Sequence, residues 1–207
     1  CCTEAVEVRL RILDHGHRLR QTLALRAIRV LGRTEPDPVA KVSLYRPELF
    51  GRPWLHFAES VMRGPSEWTA GERELIAAFV SRLNSCPFCT GIHEGTSSLL
   101  LGPSSGVDQL AHWREGGFEP RLAATFELLD KVTHDPDAVG PADVAAVREA
   151  GVSDGAISDA LYVCFMFNLI NRMANAMDFS WRTDADRMRL ASALNRIRYH
   201  TPELLLR

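Results

Sequence analysis

The chain has 207 residues, 46% of them hydrophobic and 24% charged, with a formal net charge of −2. That is long enough to bury a substantial core in one generous domain or two small ones. The near-neutral balance leaves no electrostatic footprint for nucleic acid or an anionic membrane. No apolar run reaches the roughly 20 residues of a membrane span.

Residues 4 to 32 carry Val6, Leu10, Leu13, Ala24, Ile28 and Leu31 at helical spacing, and Val8, Ile12, Leu19, Leu23 and Val30 widen the apolar surface beyond one stripe. The pattern predicts a long helix covered on two sides, by the body of the protein and by another subunit. Arg9, Arg11 and Asp14, with His15 and His17, interrupt any signal-peptide core. From Thr34 to Pro53, four prolines (Pro36, Pro38, Pro47, Pro53) read as irregular linker. The expected organisation is an N-terminal helical arm and linker over 1–40, then a helical body over 41–207.

A short helix is expected from Trp54 to Met62. Thr69 and Glu72 then stand at capping-box spacing before an apolar face of Leu75, Ile76, Phe79, Val80 and Leu83. Asn84 and Ser85 interrupt that helix, and Pro87 suits the first turn of a new one running past His93 to about Leu101. Further helices fit Pro120 to Thr133, Pro141 to Ala150 and Ser153 to Phe179, and a final polar segment with Leu190, Leu194 and Ile197 fits a C-terminal helix. No stretch shows strand alternation, and the fold class is all-α.

The five cysteines, Cys1, Cys2, Cys86, Cys89 and Cys164, are odd in number and lack the spacing of a secreted disulfide framework. They point to a reducing cytoplasm, where a Cys-x-x-Cys is more often catalytic or metal-binding than a permanent staple. On a helix, Cys86, Cys89 and His93 share an arc of roughly 60°. Pro87 puts the pair at the helix N-terminus, where free N–H groups favour a thiolate. His93 can take or relay a proton. The geometry suits dithiol–disulfide exchange or peroxide reduction. Two other readings stand beside it: a partial zinc site built on the same three ligands, and a pair of small structural thiols.

The stretch "GERELIAAFVSRLNSCPFCTGIHEG" resembles the redox motif of the AhpD-like alkylhydroperoxidases, within the carboxymuconolactone decarboxylase family. That pattern places a glutamate twelve residues before the first cysteine of Cys-x-x-Cys-x-x-x-His; here these are Glu74, Cys86, Cys89 and His93. "YRPELF" upstream and "GVSDGAISDALYVCFMFNLINRMANAM" downstream look like the family's flanking helices, so the resemblance spans about residues 43 to 180. It implies an AhpD-like helical bundle with an extra N-terminal helix, assembled as a trimer or a multiple of it. It implies hydroperoxide reduction by the dithiol, with Glu74 and His93 as proton relay and no tightly bound cofactor or metal. A dihydrolipoamide- or thioredoxin-type dithiol would be the reductant, and a peroxiredoxin or lipoyl protein a partner. Cys89 would be the buried, activated thiol and Cys86 its more exposed partner. The best-known members have a histidine directly before the second cysteine, where this chain has Phe88. A thiol-disulfide sensor or a partner reductase without peroxidase turnover is the alternative function.

The remaining notable residues read as structural. Asn168, Asn171 and Arg172 fit helix cross-linking better than a pocket lining. Arg82 reads as a solvated charge, the four tryptophans as packing residues and Cys164 as a core thiol.

Overall fold

The structure is a computed structural model describing residues 8–32, 35–102, 105–181 and 183–200. Cys1 and Cys2, and the predicted helical residues 4–7, lie outside these. Among the described residues there is no strand, as the all-α reading requires. No helix among them is long and apolar enough to cross a membrane.

The N-terminal region is not one continuous helix. It forms α1 (Ile12–His15) and α2 (Leu19–Gly32), broken at Gly16. A side chain at Gly16 would lie 2.6 Å from the Ile12 carbonyl that its N–H caps, so the turn there is closed tightly on itself. The supposed linker is also largely helical. It holds α3 (Pro38–Tyr45) and a single π-helical turn, Pro47–Gly51, that runs into α4 (Arg52–Arg63). Pro38, Pro47 and Pro53 all sit in first turns, where a missing N–H costs nothing, and Asp37 caps α3 by accepting from Ala40 N at 3.1 Å. The prolines start helices here.

Helix α5 (Ala70–Leu83) is the central element. Its capping box is formed as the sequence predicts: Glu72 N–H donates to Thr69 Oγ1 at 3.2 Å, and Thr69 N–H to Glu72 Oε2 at 2.7 Å. Residues from Gly71 to Ser81 are buried almost without interruption, which makes α5 a helix wrapped on all sides. It packs antiparallel to α6 (Pro87–Leu101) and against α9 (Asp154–Ala176), with α7 (Pro120–His134) alongside. Helix α8 (Pro141–Glu149) packs on α7, and a 3₁₀ segment not expected from the sequence, Val107–Glu115, precedes α7. The main core is built from Trp68, Phe79, Phe126, Leu129, Met166 and Phe167 with their neighbours.

The last helix, α10 (Asp184–Ile197), lies on α6. Two glycines allow the approach: a Cβ on Gly91 would come 2.7 Å from Arg187 Cδ, and one on Gly95 3.2 Å from Ala191 Cβ. Arg187 then donates to the Gly91 carbonyl at 3.0 Å. This docking carries the C-terminal turn toward the far end of α5.

The described part of the N-terminal arm also packs on the body. Val8 and Leu13 join Val42, Cys86, Phe88, Cys89 and Phe179 in one buried apolar cluster, and Arg9 N–H donates to Met177 O at 2.9 Å.

Candidate active site

The turn between α5 and α6 is closed by two backbone hydrogen bonds, from Cys86 N–H to Ser81 O and from Ser85 N–H to Arg82 O, both 2.9 Å. This is the pairing of a Schellman motif, with Ser85 in the left-handed position (φ 49°) where glycine is usual. The motif makes Cys86 both the end of one helix and the N-cap of the next, with Pro87 in the first turn of α6. Three asparagines of α9 hold the turn in place. Asn84 Nδ2 donates to Asn168 Oδ1 at 3.1 Å and Asn171 Oδ1 at 3.3 Å, while Asn175 Nδ2 donates to Asn84 O at 3.0 Å.

Cys86 and Cys89 are both free thiols, 1% and 3% exposed. The Cys86 thiol titrates at about 7 instead of 9.0 because the Cys89 thiol donates a hydrogen bond to it. Backbone N–H of Cys89 and Phe88 and the Asn171 side chain help, and together they outweigh burial. Cys89 is pushed well up by donating to Cys86, by burial and by the charge on Cys86. The two sulfurs therefore differ in role. Cys86 is lowered chiefly by Cys89, and Cys89 is raised as its donor. This departs from the expectation that Cys86 is the exposed partner and Cys89 the activated thiol: neither is exposed, and the stabilised thiolate is Cys86. The hydrogen bond between the two thiols is the reason, since it favours charge on Cys86 and keeps the proton on Cys89.

One consequence is a reactivity profile. Alkylation of Cys86 by iodoacetamide, followed by peptide mass spectrometry, should rise with pH to a half-maximal rate near pH 7. Cys89→Ala removes the donor, so the midpoint should move upward toward that of an ordinary thiol.

His93 stands one turn beyond Cys89 on the same face of α6 and is buried. Its Nδ1 is 2.6 Å from Glu74 Oε2, and its ring meets Phe167 edge-on at 4.5 Å between centroids. Glu74 is 0% exposed, yet its carboxyl is held below the usual range. Burial pushes it up, but the charges and hydrogen bonds of His93 and Arg63 outweigh that. An ionised carboxylate only accepts, so it is His93 Nδ1 that donates to Oε2. Arg63, at the end of α4, donates from Nη2 to Glu74 Oε1 at 2.6 Å. Tyr199 Oη, from the turn after α10, donates to the same oxygen at 3.0 Å.

The four residues singled out by the motif thus all lie on the α5–α6 pair, the cysteines at its turn and Glu74 in contact with His93 further along it. Arg63, Asn171 and Tyr199 complete the site, and sequence reasoning did not place them there. Asn171 was read as a helix cross-link; it also donates to Ser81 Oγ at 3.1 Å and is wholly buried beside the sulfurs. Its position one turn pattern away from Asn168 and Asn175 was the available signal. Arg82 forms a half-exposed pair with Glu94 at 2.8 Å and takes no part. Cys164 is a core thiol, raised by burial. Among the described residues, no group of three or more His, Cys, Asp or Glu side chains is arranged to hold a metal ion.

Phe88 is stacked on Trp181 at 4.1 Å, meets Phe179 edge-on at 5.4 Å, and its carbonyl accepts from Trp181 Nε1 at 3.2 Å. An apolar lid of Phe88, Phe179, Trp181 and the N-terminal Val8 and Leu13 therefore closes the dithiol from solvent. Leu13→Ala should loosen this cover and speed alkylation of Cys86 by about tenfold or more. Core Leu→Ala truncation costs about 2–5 kcal/mol, and about 1.4 kcal/mol is a factor of ten. Unchanged alkylation kinetics would mean the arm does not limit access.

No family model matches the chain, and neither does any curated protein. Solved structures do. An uncharacterized peroxidase-related protein from Silicibacter sp. TM1040 superposes with a TM-score of 0.72 at 22% identity, over 85% of this chain and 92% of its own. An uncharacterized peroxidase-related protein from Ralstonia eutropha JMP134, described as an alkylhydroperoxidase AhpD core, gives 0.73 at 22% identity, over 91% and 97%. The match runs over most of each chain, and the fold of this chain is the AhpD-like all-α fold.

Proposed function

We propose that the protein is a thiol-dependent hydroperoxide reductase that cycles Cys86 and Cys89 between dithiol and disulfide. The observation that supports this most directly is the differentiated pair: a lowered Cys86 at a helix N-terminus beside a raised Cys89, on the same helix as the His93 of a His93–Glu74 dyad. In the first step the Cys86 thiolate attacks the terminal peroxide oxygen. The O–O bond breaks, the hydroxyl stays on Cys86 as a sulfenic acid, and the alkoxide takes a proton from solvent and leaves as alcohol. Cys89 then attacks the Cys86 sulfur, giving its proton to His93 Nε2. The disulfide forms as the S–O bond breaks, and the imidazolium passes that proton to the departing hydroxide, which leaves as water. Glu74 stabilises the imidazolium. An external dithiol of dihydrolipoamide or thioredoxin type returns two electrons and two protons. No bound cofactor is required by this cycle.

Peroxide consumption by wild type, Cys86→Ser and Cys89→Ser, with dihydrolipoamide and thioredoxin compared as donors, tests the proposal. Multiple turnovers per molecule are expected for wild type only. A single stoichiometric oxidation would favour the second reading, a redox sensor or a reductase of a partner protein, which the closed lid over both sulfurs supports. We further propose a cytoplasmic homo-oligomer. The outward stripe of Tyr162, Phe165 and Leu169 on α9, with Phe165 61% exposed, is its natural contact face.

A further inference from the structure

We propose that Tyr199 is a positioning residue for the dyad, and that its hydroxyl sets the charge distribution on Glu74 from which His93 works. The inference rests on the reductase reading above for its kinetic consequence, though not for its structural one.

Tyr199 is delivered to Glu74 by an unusual piece of backbone. Arg198 closes α10 in the left-handed region (φ 53°), and Tyr199 follows in the same region (φ 64°). Two adjacent non-glycine residues in that conformation are disfavoured and persist where the surroundings over-determine them. What the turn achieves is burial of the Tyr199 ring, with the Arg63 guanidinium 4.8 Å above its centroid and the hydroxyl 3.0 Å from Glu74 Oε1. Neighbouring Ile197, Arg198 and His200 line an open cleft of about 500 Å³ with Glu59, Ser60 and Arg63. The tyrosine is the one residue of this turn that enters the core.

The division of labour on the carboxylate is informative. Oε1 accepts from both Arg63 and Tyr199, while Oε2 is left to His93. Two donors on one oxygen fix the plane of the carboxylate and draw negative charge toward Oε1. They thereby moderate the hydrogen bond that Oε2 accepts from Nδ1–H and fix the imidazole against Glu74. Burial and the Glu74 charge push the Tyr199 phenol well above 10.0, so it acts as a neutral donor throughout the working pH range. An anchor for the C-terminus would need the ring alone; the hydroxyl aimed at Glu74 is what a positioning role adds.

The test is Tyr199→Phe, which keeps the ring and its stacking under Arg63. Without the second donor, charge shifts to Oε2, and the Nδ1–H resonance of His93 in proton NMR should move downfield. Where hydroperoxide turnover is measurable, kcat should fall about tenfold with KM unchanged. Replacing Tyr199 site-specifically with fluorotyrosine, a stronger donor, should move the same resonance upfield, and this arm holds even if Tyr199→Phe folds poorly. A resonance unmoved in both variants overturns the proposal and leaves Tyr199 an anchor, and so does a wild-type kcat in Tyr199→Phe. If wild type consumes no hydroperoxide with any donor, the reductase reading fails by itself, and the resonance still decides the role of Tyr199.

Discussion

Cys86→Ser is expected to lower hydroperoxide turnover about a thousandfold or more, to the background of the remaining thiols, because it removes the only sulfur of the pair that titrates near neutrality. The variant should also change its neighbour. Cys89 is raised by donating to Cys86 and by the charge there, and a serine carries no such charge. In Cys86→Ser the Cys89 thiol should become easier to deprotonate and its alkylation at pH 8 faster than in wild type. Cys89→Ser should behave differently. It retains one thiolate, so a first stoichiometric reaction with peroxide proceeds and stops at a sulfenic acid that dimedone can trap. Full turnover in Cys86→Ser, with loss in Cys89→Ser, would exchange the two roles.

Replacing Glu74 by alanine should have the largest effect on stability. It leaves Arg63, almost wholly buried, without its counter-ion, and removing one partner from a buried pair costs about 3–5 kcal/mol. For a chain of this size about 1 kcal/mol corresponds to about 2–4 °C in Tm, so a fall on the order of 10 °C or more is expected in thermal unfolding. Glu74→Gln keeps an acceptor for Arg63 and Tyr199 and should lose less stability, while still losing most of the turnover because His93 has no anion behind it. The sign of the pH dependence follows from the depressed carboxyl. Glu74 titrates below its unfolded value of 4.5, so its contribution is complete above that value and is lost as pH falls through the lower folded one. The gap in Tm between wild type and Glu74→Ala should therefore narrow on acidification below about pH 4.5. A gap that stays constant down to pH 3 would mean the carboxyl is not held down in the fold.

The helices that carry the motif were legible because their signals are local. The Thr69–Glu72 box, the apolar residues of α5, the break at Asn84–Ser85 and Pro87 each act within a turn or two of chain, and the junction formed where they indicated. Two readings of the amino-terminal region failed for the same kind of reason. Apolar spacing over 4–32 was continuous enough to suggest one helix, and only the closed turn at Gly16 divides it. The prolines between 36 and 53 read as breakers from sequence, whereas their effect depends on register: in the first turn of a helix the missing N–H has no partner to lose.

The site itself divides along the same line. Cys86, Cys89, His93 and Glu74 belong to one helix–turn–helix, so their residue types and spacing bring them to one place whatever surrounds them. Their differing electrostatics belong to the tertiary structure. Arg63 reaches Glu74 from a separate helix, Asn171 reaches the sulfurs across α9, and Tyr199 comes from 125 positions along the chain. A thiol pair and a carboxylate–imidazole pair were written in the sequence. That Cys86 is lowered and Cys89 raised, that Glu74 is held down at 0% exposure, and that an apolar arm covers both sulfurs were decided by packing. Burial and long-range donors set pKa values, and neither has a periodicity that a sequence can display.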